Sequence, residues 1–344
     1  MDQLLVADFQ KSMRFEGYLL VRSSEQRTSN AGGTYLDMTL ADKTAEINAK
    51  VWNTQAAAPP VGSVLKLRAA VIEYNGRLQL RVEKYRQTRP EDRVNLSALV
   101  ASASEQPETM KQAIDDAIAG MTNPTLRALT EALVASAGDK LLYYPAAQRM
   151  HHAVRSGLLE HMTSMLRVAD AILPCYPYLD GDLVRAGIIL HDLSKLEEMQ
   201  SDELGNVRDY TKDGLLIGHL VRGVTRVAET AKALGLDPDD EYVLLVQHMI
   251  ISHHGLAEYG SPRPPMFPEA EMLHWIDVVD ARMNEMTGVL RRVPQGVFSE
   301  KIWSLDRRLY HPKYSGEEPS AGGEDMPYDQ EGGLDPDAAY DGLL

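Results

Sequence analysis

The sequence predicts a multidomain protein of α and β structure: an N-terminal five-stranded barrel, then an all-helical domain, then a disordered acidic tail. Short strands that alternate apolar and polar residues, separated by tight turns, fill residues 12–88. Apolar positions recur at helical spacing from about 145 to 310, and residues 314–344 carry nine acidic side chains without a Lys or Arg. A chain of 344 residues has room for about two domains, so each part can form its own core.

The barrel is predicted from alternation with a period of two. In residues 35–40, Leu36, Met38 and Leu40 face one side and the intervening residues face the other, and Asn75-Gly76 is a strong hairpin-turn signal. The five predicted strands lie at 17–21, 35–40, 46–52, 65–71 and 78–82. Five short strands joined by tight turns are typical of a small closed barrel.

The second domain is predicted as successive helices with short connections. Apolar residues at helical spacing occur at 107–137 (with a break at Asn123-Pro124), 153–173, 182–199, 214–234, 239–252 and 269–291. Residues 201–212, which contain Gly205-Asn206, are predicted to form an exposed hairpin or loop. We therefore expect a barrel domain at 1–90, a linker and helical connector at 91–145, the helical domain at 146–312 and the tail at 313–344.

Charge is distributed unevenly along the chain. The whole chain has a net charge of −15, yet residues 1–90 hold 13 Lys and Arg against 9 Asp and Glu. Fields from exposed charges are screened within about 10 Å at moderate salt. The basic barrel can therefore attract a polyanion despite the acidic remainder of the chain.

The sequence also predicts a cytoplasmic protein without a membrane segment. The single cysteine, Cys175, excludes an internal disulfide and fits a reducing compartment. No stretch approaches the roughly 20 apolar residues of a membrane helix. The N-terminus lacks the basic and then apolar segment of a secretory signal.

The most informative feature of the second domain is a series of His and Asp residues. In order, they are His161, His191-Asp192, His219, His253-His254 and Asp280. Imidazole nitrogens and carboxylate oxygens bind divalent metals, and in a chain without a Cys cluster a metal site has to use them. Burying two neighbouring histidines is unfavourable unless their nitrogens find partners, which favours a metal or a phosphate. The series predicts a metal-dependent hydrolase acting on phosphate esters.

Two of these histidines also have a simpler interpretation. A single His on a helix is more often a hydrogen-bonded core residue than a ligand, and this applies to His161 and His219. Similarly, Asp277 lies three residues before Asp280 on nearly the same helix face, so the two carboxylates compete for the role of ligand. The competitor Asp277 could instead support the site by a hydrogen bond to a ligand.

Lys195 follows His191 and Asp192 by four and three residues. If the helix continues, all three side chains share one face. The lysine could then contact a phosphate oxygen or the leaving group. The alternative is a surface lysine near the end of a helix.

The ordered series resembles the HD-domain phosphohydrolases. The flanking strings more specifically resemble the YhaM-type 3′→5′ exoribonucleases, in which an OB-fold domain precedes the HD domain. These strings are G-L-L-E-H (157–161), H-D-L-S-K (191–195), G-H-L (218–220), S-H-H-G (252–255) and E-Y-G-S-P (258–262). The His-Asp pair alone is a weak signal, whereas five segments in order form a strong one.

The resemblance implies a metal site shared between several helices. The implied ligands are His161, His191, Asp192 and Asp280, with His219 and one or both of His253 and His254 completing a second ion or binding the scissile phosphate. Asp192 and Lys195 are the candidate catalytic residues. A divalent ion can lower the pKa of bound water from 15.7 to about 7 and so produce hydroxide at neutral pH. Oxygen and imidazole ligands suit Mn²⁺, Fe²⁺, Co²⁺ or Mg²⁺, and the resemblance makes Mn²⁺ the preferred ion, in one or two copies.

The barrel also resembles an OB-fold nucleic-acid-binding module, notably in the string L-A-D-K-T-A-E-I-N-A-K-V-W (40–52). By the alternation above, the side chains of Tyr35, Lys50 and Trp52 face away from the core, with Arg68 and Arg81 as neighbours. Exposed aromatic rings can stack on bases while Lys and Arg follow the phosphates. The alternative is that Tyr35 and Trp52 pack against the helical domain or a second subunit.

These features predict a ribonuclease that binds single-stranded RNA on its barrel and releases nucleoside monophosphates, and the resemblance implies that it is an exoribonuclease acting in the 3′→5′ direction. Single-stranded DNA is an alternative substrate, and the resemblance implies a homo-oligomer. Two other functions stay open: a phosphodiesterase or phosphatase of small nucleotides, which HD sites also serve, and a non-catalytic RNA-binding protein. A small-nucleotide enzyme would have little use for the barrel, and a non-catalytic protein would not need every expected ligand position to be filled.

Overall fold

A computed structural model describes residues 3–29, 32–148, 152–237 and 239–313. The described chain divides into two compact units, with the boundary between Ala101 and Ser102. The tail expected at 313–344 lies outside the described residues from position 314 onward. Among the helices that the structure describes, each is too short or too polar to cross a lipid bilayer.

The first unit is a closed five-stranded barrel, as the alternation predicted. Its strands are β1 (Arg14–Thr28), β2 (Thr34–Ala41), β3 (Glu46–Trp52), β4 (Val64–Tyr74) and β5 (Arg77–Gln87). The strand order around the barrel is β1-β2-β3-β5-β4, with β3 and β5 parallel and the other pairs antiparallel. This is the OB-fold topology that the resemblance implied.

Local sequence explains how the barrel closes. Leu36, Met38 and Leu40 on β2 are buried in the barrel core, because consecutive side chains of a strand point to opposite faces. Asn75 and Gly76 both have positive φ, 51° and 75°, which a two-residue type I′ hairpin requires. They join β4 to β5. Because a two-residue turn sets the register of the two strands, it also determines which side chains of β4 and β5 face outward.

The second unit is mainly helical. Its helices are α1 (Pro107–Ala119), α2 (Pro124–Ala137), α3 (Gly157–Ile172), α4 (Gly181–Leu190), α5 (Lys195–Glu198), α6 (Lys212–Leu216), α7 (Gly218–Ala233), α8 (Glu241–Ser252) and α9 (Pro268–Leu290). Two hairpins accompany them, β6 (Met199–Ser201) with β7 (Val207–Tyr210), and β8 (Phe298–Ile302) with β9 (Arg307–Tyr310). The first hairpin confirms the hairpin or loop expected at 201–212. The second was wrongly included in the run of successive helices, because a strand pair this short leaves little alternation to detect.

Two predicted helices are interrupted, and both interruptions lie beside the candidate site. The helix predicted at 182–199 ends at Leu190, and a turn at 191–194 separates α4 from α5. The helix predicted at 214–234 is divided at Gly218, whose φ of +73° favours glycine. Apolar spacing continues through both breaks, so periodicity could not show them.

The domain boundary also differs from the one expected. Residues 91–145 were assigned to a linker and connector, but α1 and α2 bury Met110, Ile114, Leu126 and Leu129 in the same core as α3 and α4. Spacing within a helix identifies its apolar face without showing which core that face joins. The two helices therefore belong to the helical unit.

Helix α4 lies at the centre of this unit. Every residue from Ala186 to Leu190 is buried, and a Cβ on Gly187 would lie 2.3 Å from the Met249 side chain of α8. A helix that is apolar on all sides has to be surrounded by other helices. The residues that directly follow α4, His191 and Asp192, are consequently held deep in the protein.

Candidate metal centre and nucleic-acid face

Three of the predicted ligands meet at the junction of α3 with the end of α4. The Nε2 atom of His161 lies 3.3 Å from Nε2 of His191 and 3.8 Å from Oδ2 of Asp192. Nε2 of His191 lies 3.4 Å from the same Oδ2 atom. All three side chains are at most 4% exposed. The structure thus brings side chains 30 positions apart in sequence within reach of one ion.

The imidazole rings are oriented by hydrogen bonds on their far side. The carbonyl of Ile188 accepts a hydrogen bond from Nδ1 of His191 at 2.8 Å, and the carbonyl of Ile250 accepts one from Nδ1 of His253 at 2.8 Å. Nδ1 of His254 is 2.7 Å from the carbonyl of Tyr259. A carbonyl only accepts, so each of these Nδ1 atoms carries a hydrogen and each neutral ring keeps a lone pair on Nε2. This arrangement is typical of metal-binding histidines.

The break before α7 positions His219. Glu198, at the end of α5, accepts hydrogen bonds from the backbone N–H of His219 at 2.9 Å and from its Nδ1 at 2.9 Å. The Nε2 atom of His219 then lies 3.4 Å from Oδ1 of Asp192. Glu198 was absent from the sequence-derived site, because nothing in its spacing distinguishes it from Glu197 beside it.

Asp192 connects two groups of histidines through its two oxygens. Oδ2 faces His161 and His191, whereas Oδ1 lies 3.4 Å from Nε2 of His219 and 3.8 Å from Nε2 of His253. Ligand atoms of His219, His253 and His254 also lie within 4.8 Å of one another. A carboxylate in this position can bridge two cations.

The donor atoms of this pocket fit a divalent metal. Oδ1 of Asp192, Nε2 of His219 and Nε2 of His253 are buried and, within the part of the chain that the structure describes, lack a hydrogen-bond partner. A buried polar atom without a partner costs free energy, and such atoms are uncommon in native proteins. Because three of them converge on one space lined by imidazole and carboxylate, a cation is the partner that satisfies all of them.

The two carboxylates of α9 take different positions around His161. Oδ1 of Asp277 is 3.3 Å from Nε2 of His161, on the same side as His191. Oδ2 of Asp280 instead accepts a hydrogen bond from Nδ1 of His161 at 2.8 Å, on the opposite edge of the ring. The resemblance implied Asp280 as the ligand and left Asp277 as its competitor; in the structure Asp277 lies on the side of His161 that faces His191, and Asp280 lies on the other side.

Burial and neighbouring charge set the protonation of the pocket. Burial alone would lower the pKa of His161, but its hydrogen bonds to Asp277 and Asp280 outweigh burial and raise that pKa to about 10. Hydrogen bonds from His161 to Asp277, and from His152 and His161 to Asp280, outweigh burial and hold the pKa values of both carboxylates well below the usual range. Burial lowers the pKa of His254 to about 4, assisted by the charge of His219, and burial also lowers the pKa of His253. His253 and His254 are therefore neutral near pH 7, the form that binds metals, whereas the Glu198 carboxylate outweighs burial and raises the pKa of His219.

Lys195 is brought to the pocket although the helix does not continue. The backbone N–H of Lys195 donates to the carbonyl of Asp192 at 3.0 Å across the turn, and Nζ of Lys195 lies 3.0 Å from Oδ2 of Asp192. Its side chain is 10% exposed. Lys195 is therefore not a surface lysine, and its charge lies beside the carboxylate of Asp192.

His152 is a further pocket residue that sequence reasoning missed. It is 5% exposed, and its Nε2 atom lies 2.9 Å from Oδ2 of Asp280. A Cβ on Gly157 would lie 1.8 Å from the backbone oxygen of His152, so glycine at the start of α3 lets this segment approach. His152 precedes the helix and belongs to no periodic pattern, and the only local signal was its position five residues before Gly157.

On the barrel, three of the predicted nucleic-acid-binding residues form one cluster. Tyr35 on β2 and Trp52 on β3 are paired across the strands, with ring centroids 4.7 Å apart and planes 29° from parallel. Nζ of Lys50 lies 5.0 Å from the Tyr35 ring centroid and 5.6 Å from that of Trp52. Trp52 is 46% exposed. This cluster combines an aromatic surface with a cation.

The two predicted arginines differ from each other. Arg81 on β5 is exposed and pairs in register with Lys50, so it extends the cluster. Arg68 on β4 instead binds the carboxylate of Glu16 on β1, with contacts of 2.8 and 3.0 Å. Its charge is already compensated, so it contributes less to binding a polyanion than the sequence alone indicated.

Comparisons with known proteins agree with this architecture. The family of OB-fold nucleic acid binding domains matches residues 17–88, and the HD domain family matches residues 158–282. A protein of Bacillus subtilis named 3′-5′ exoribonuclease YhaM is 38% identical over 299 residues, which cover 86% of this chain and 93% of the relative. Proteins of the same name from Halalkalibacterium halodurans and Listeria welshimeri are 38% and 39% identical over 310 and 311 residues, covering 89% of this chain and 95% and 98% of the relatives.

Proposed function

The chain belongs to the family of the YhaM 3′-5′ exoribonucleases, and we propose on this premise that it degrades single-stranded RNA from the 3′ end to nucleoside monophosphates. The observation that carries the hydrolytic part is the convergence of oriented Nε2 atoms on the two oxygens of Asp192. A purely RNA-binding protein would gain nothing from burying donor atoms that need a cation. The direction of attack comes from the family alone.

We assign the ligands from the distances. One cation would be held by His161, His191, Asp192 and Asp277, and a second by Asp192 with His219, His253 and His254. Asp280 would not touch the ion, and it would hold the ring of His161 instead. Imidazole and carboxylate donors without thiolate suit Mn²⁺, with Mg²⁺, Co²⁺ or Fe²⁺ as alternatives. A divalent cation there supplies an activated water and a positive charge for the phosphate oxygens.

The other residues bind and orient the substrate. Lys195, beside Asp192, is placed to contact a non-bridging oxygen of the scissile phosphate or the leaving oxygen. On the barrel, Tyr35 and Trp52 would stack on bases without sequence preference while Lys50 and Arg81 follow the backbone. Because stacking does not depend on the sugar, single-stranded DNA is proposed as a second substrate.

We further propose a cytoplasmic homo-oligomer. The cytoplasmic location is supported by the exposed, free Cys175, which suits a reducing compartment.

The assembly is supported by an apolar stripe on α9 that a second copy could cover. Trp275, Val279 and Met283 are spaced four residues apart there and are 54%, 43% and 53% exposed. Light scattering behind size-exclusion chromatography would measure the assembly, and a monomer would contradict the proposal.

The central experiment incubates 5′-labelled single-stranded RNA with the protein and Mn²⁺. A ladder that shortens from the 3′ end is expected, with no shortening by a His191→Ala variant. RNA that stays intact with Mn²⁺, Mg²⁺, Co²⁺ and Fe²⁺ would contradict the proposal. Hydrolysis of a cyclic dinucleotide under conditions that leave RNA intact would support the small-nucleotide alternative.

A further inference from the structure

A chain of hydrogen bonds runs behind His161, away from the proposed cation. The first link is Asp280, whose Oδ2 atom lies 2.8 Å from Nδ1 of His161 and 2.9 Å from Nε2 of His152. The second is Glu160, whose Oε2 atom lies 3.0 Å from Nδ1 of His152. The third is Ser104, whose backbone N–H and hydroxyl donate to Oε1 of Glu160 at 2.8 and 2.7 Å.

The segment that carries His152 is fixed on several sides. The side-chain oxygen of Asn284 on α9 accepts a hydrogen bond from the backbone N–H of His152 at 3.1 Å. The contact with Gly157 described above holds the same segment against α3. Ala103 donates its N–H to the carbonyl of Arg155 at 2.8 Å. The chain of contacts thus begins in the first residues of the helical unit.

Donor and acceptor roles give this chain a direction. A carboxylate oxygen accepts hydrogen bonds from imidazole N–H groups, and Oδ2 of Asp280 lies 2.9 Å and 2.8 Å from ring nitrogens of His152 and His161, so both imidazoles donate to it. When Nδ1 donates to Asp280, the neutral ring of His161 carries its lone pair on Nε2, the atom that faces His191 and Asp277. Whatever fixes Asp280 therefore also fixes the orientation of a proposed metal ligand.

We propose that His152 is a positioning residue for the metal centre, acting through Asp280 on His161, and that Glu160 and Ser104 support it. The inference rests on the proposed metal site. It adds residues that support a ligand of the ion without contacting the ion themselves. This proposal assigns His152 no direct contact with the ion, because each of its ring nitrogens already lies within 3.0 Å of a carboxylate oxygen, of Glu160 or of Asp280. Removing its side chain would free Asp280 to rotate and would loosen the ring of His161.

The test is a calorimetric titration of the full-length, metal-free protein with Mn²⁺. Outer contacts of metal ligands typically contribute 10- to 100-fold in metal affinity, so His152→Ala is expected to weaken Mn²⁺ binding by about that factor. His152→Gln should recover part of the loss, because its amide can still donate to Asp280. Ser104→Ala, at an exposed position, should cause a smaller loss. His311→Ala serves as the control, since His311 lies near the terminal hairpin and bonds the Val293 carbonyl.

A second measurement separates positioning from general stability. The visible absorption of Co²⁺ bound to the protein reports the geometry of its ligands, and it should change in His152→Ala but not in His311→Ala, whatever each does to thermal unfolding in a chelator. Unchanged Mn²⁺ affinity and an unchanged Co²⁺ spectrum in His152→Ala and Ser104→Ala would overturn the inference. If the unaltered protein itself bound neither ion, the proposed metal site would be wrong instead. If His152→Ala does not fold, His152→Gln and Ser104→Ala decide the question.

Discussion

The barrel face and the metal pocket are built in opposite ways. Tyr35, Lys50 and Trp52 lie within 18 positions of sequence on two adjacent strands, and Trp52 is nearly half exposed. The pocket joins residues from His161 to Asp277, most of them buried and two of them, His219 and His254, partly buried. Each of its histidines is held by a second contact. An exposed aromatic face tolerates many ligand positions, which suits a chain that has to slide. A buried, oriented set of donors tolerates only one geometry, which suits bond cleavage.

The largest effect is expected from removing a ligand in the pocket. His191→Ala should lower the rate of RNA hydrolysis by more than about 100-fold, beyond the range of an outer contact, because a buried donor to the ion is lost. RNA binding measured by fluorescence anisotropy should stay within about twofold of the unaltered protein, since the barrel face is intact. Equal losses of binding and hydrolysis would show that the two regions are not separable.

The two α9 carboxylates provide the next comparison. Asp277→Asn should lower Mn²⁺ affinity more than Asp280→Asn, because only the former removes a donor on the ion side of His161. For Asp280→Asn we expect a loss of about 10- to 100-fold. Calorimetric titration with Mn²⁺ measures the affinity of each variant. The opposite ranking would restore the assignment first made from sequence.

A smaller effect of a different kind is expected on the barrel. Each aromatic ring that stacks on a base contributes about 1–3 kcal/mol, so Trp52→Ala should raise the KM for RNA roughly 5- to 150-fold and leave kcat nearly unchanged. Tyr74→Ala removes another exposed barrel aromatic, outside the cluster, and is the matched control. A fall in kcat without a change in KM would assign Trp52 to structure or catalysis.

Salt dependence should distinguish the barrel cations from one another. Each phosphate contact on a single strand contributes about 0.7 to the slope of log affinity against log salt, so Arg81→Ala should reduce the slope by about that amount. Lys50→Ala should reduce it by less, because Oδ2 of Asp37 lies 3.9 Å from Nζ of Lys50. Arg68→Ala should change it less, because Glu16 already compensates that guanidinium. RNA binding measured between low and moderate salt checks this ranking. Equal slopes for all three variants would contradict the proposed face.

The last effect concerns pH and belongs to the metal-free pocket. The pKa of His161 rises from an ordinary 6.5 to about 10 in the folded protein, so its protonated form stabilises the fold fully below pH 6.5. That contribution is lost progressively as pH rises from 6.5 to 10. The midpoint of thermal unfolding in a chelator should therefore fall as pH rises over this range. The increase in that midpoint on adding Mn²⁺ should become larger over the same range. An His161→Gln variant should show a flatter profile.

Several parts of the site could be predicted because their signals are local. Period-two alternation fixed the outward face of β2 and β3, so Tyr35, Lys50 and Trp52 were found together. The donor types and their order were also visible, since His191-Asp192 and His253-His254 follow apolar runs that had to be buried. Glu198 and His152 were missed because their roles depend on distant partners. Glu198 holds His219, which lies 21 positions later in the chain, and His152 contacts Asp280, which lies 128 positions later.

The sequence by itself determined the two architectures and the chemical character of the pocket, because alternation, helical spacing and residue type are properties of neighbouring positions. Tertiary structure decided which atom does what. Asp277 and Asp280 share a face of α9, and only the packing of α3 against that helix places one carboxylate at Nε2 of His161 and the other at Nδ1. Arg68 and Arg81 look equivalent in sequence. Only the strand register places Arg68 opposite Glu16, with which it pairs, and Arg81 opposite Lys50. A ligand's role depends on directions and distances between elements, and sequence spacing fixes these only within one element.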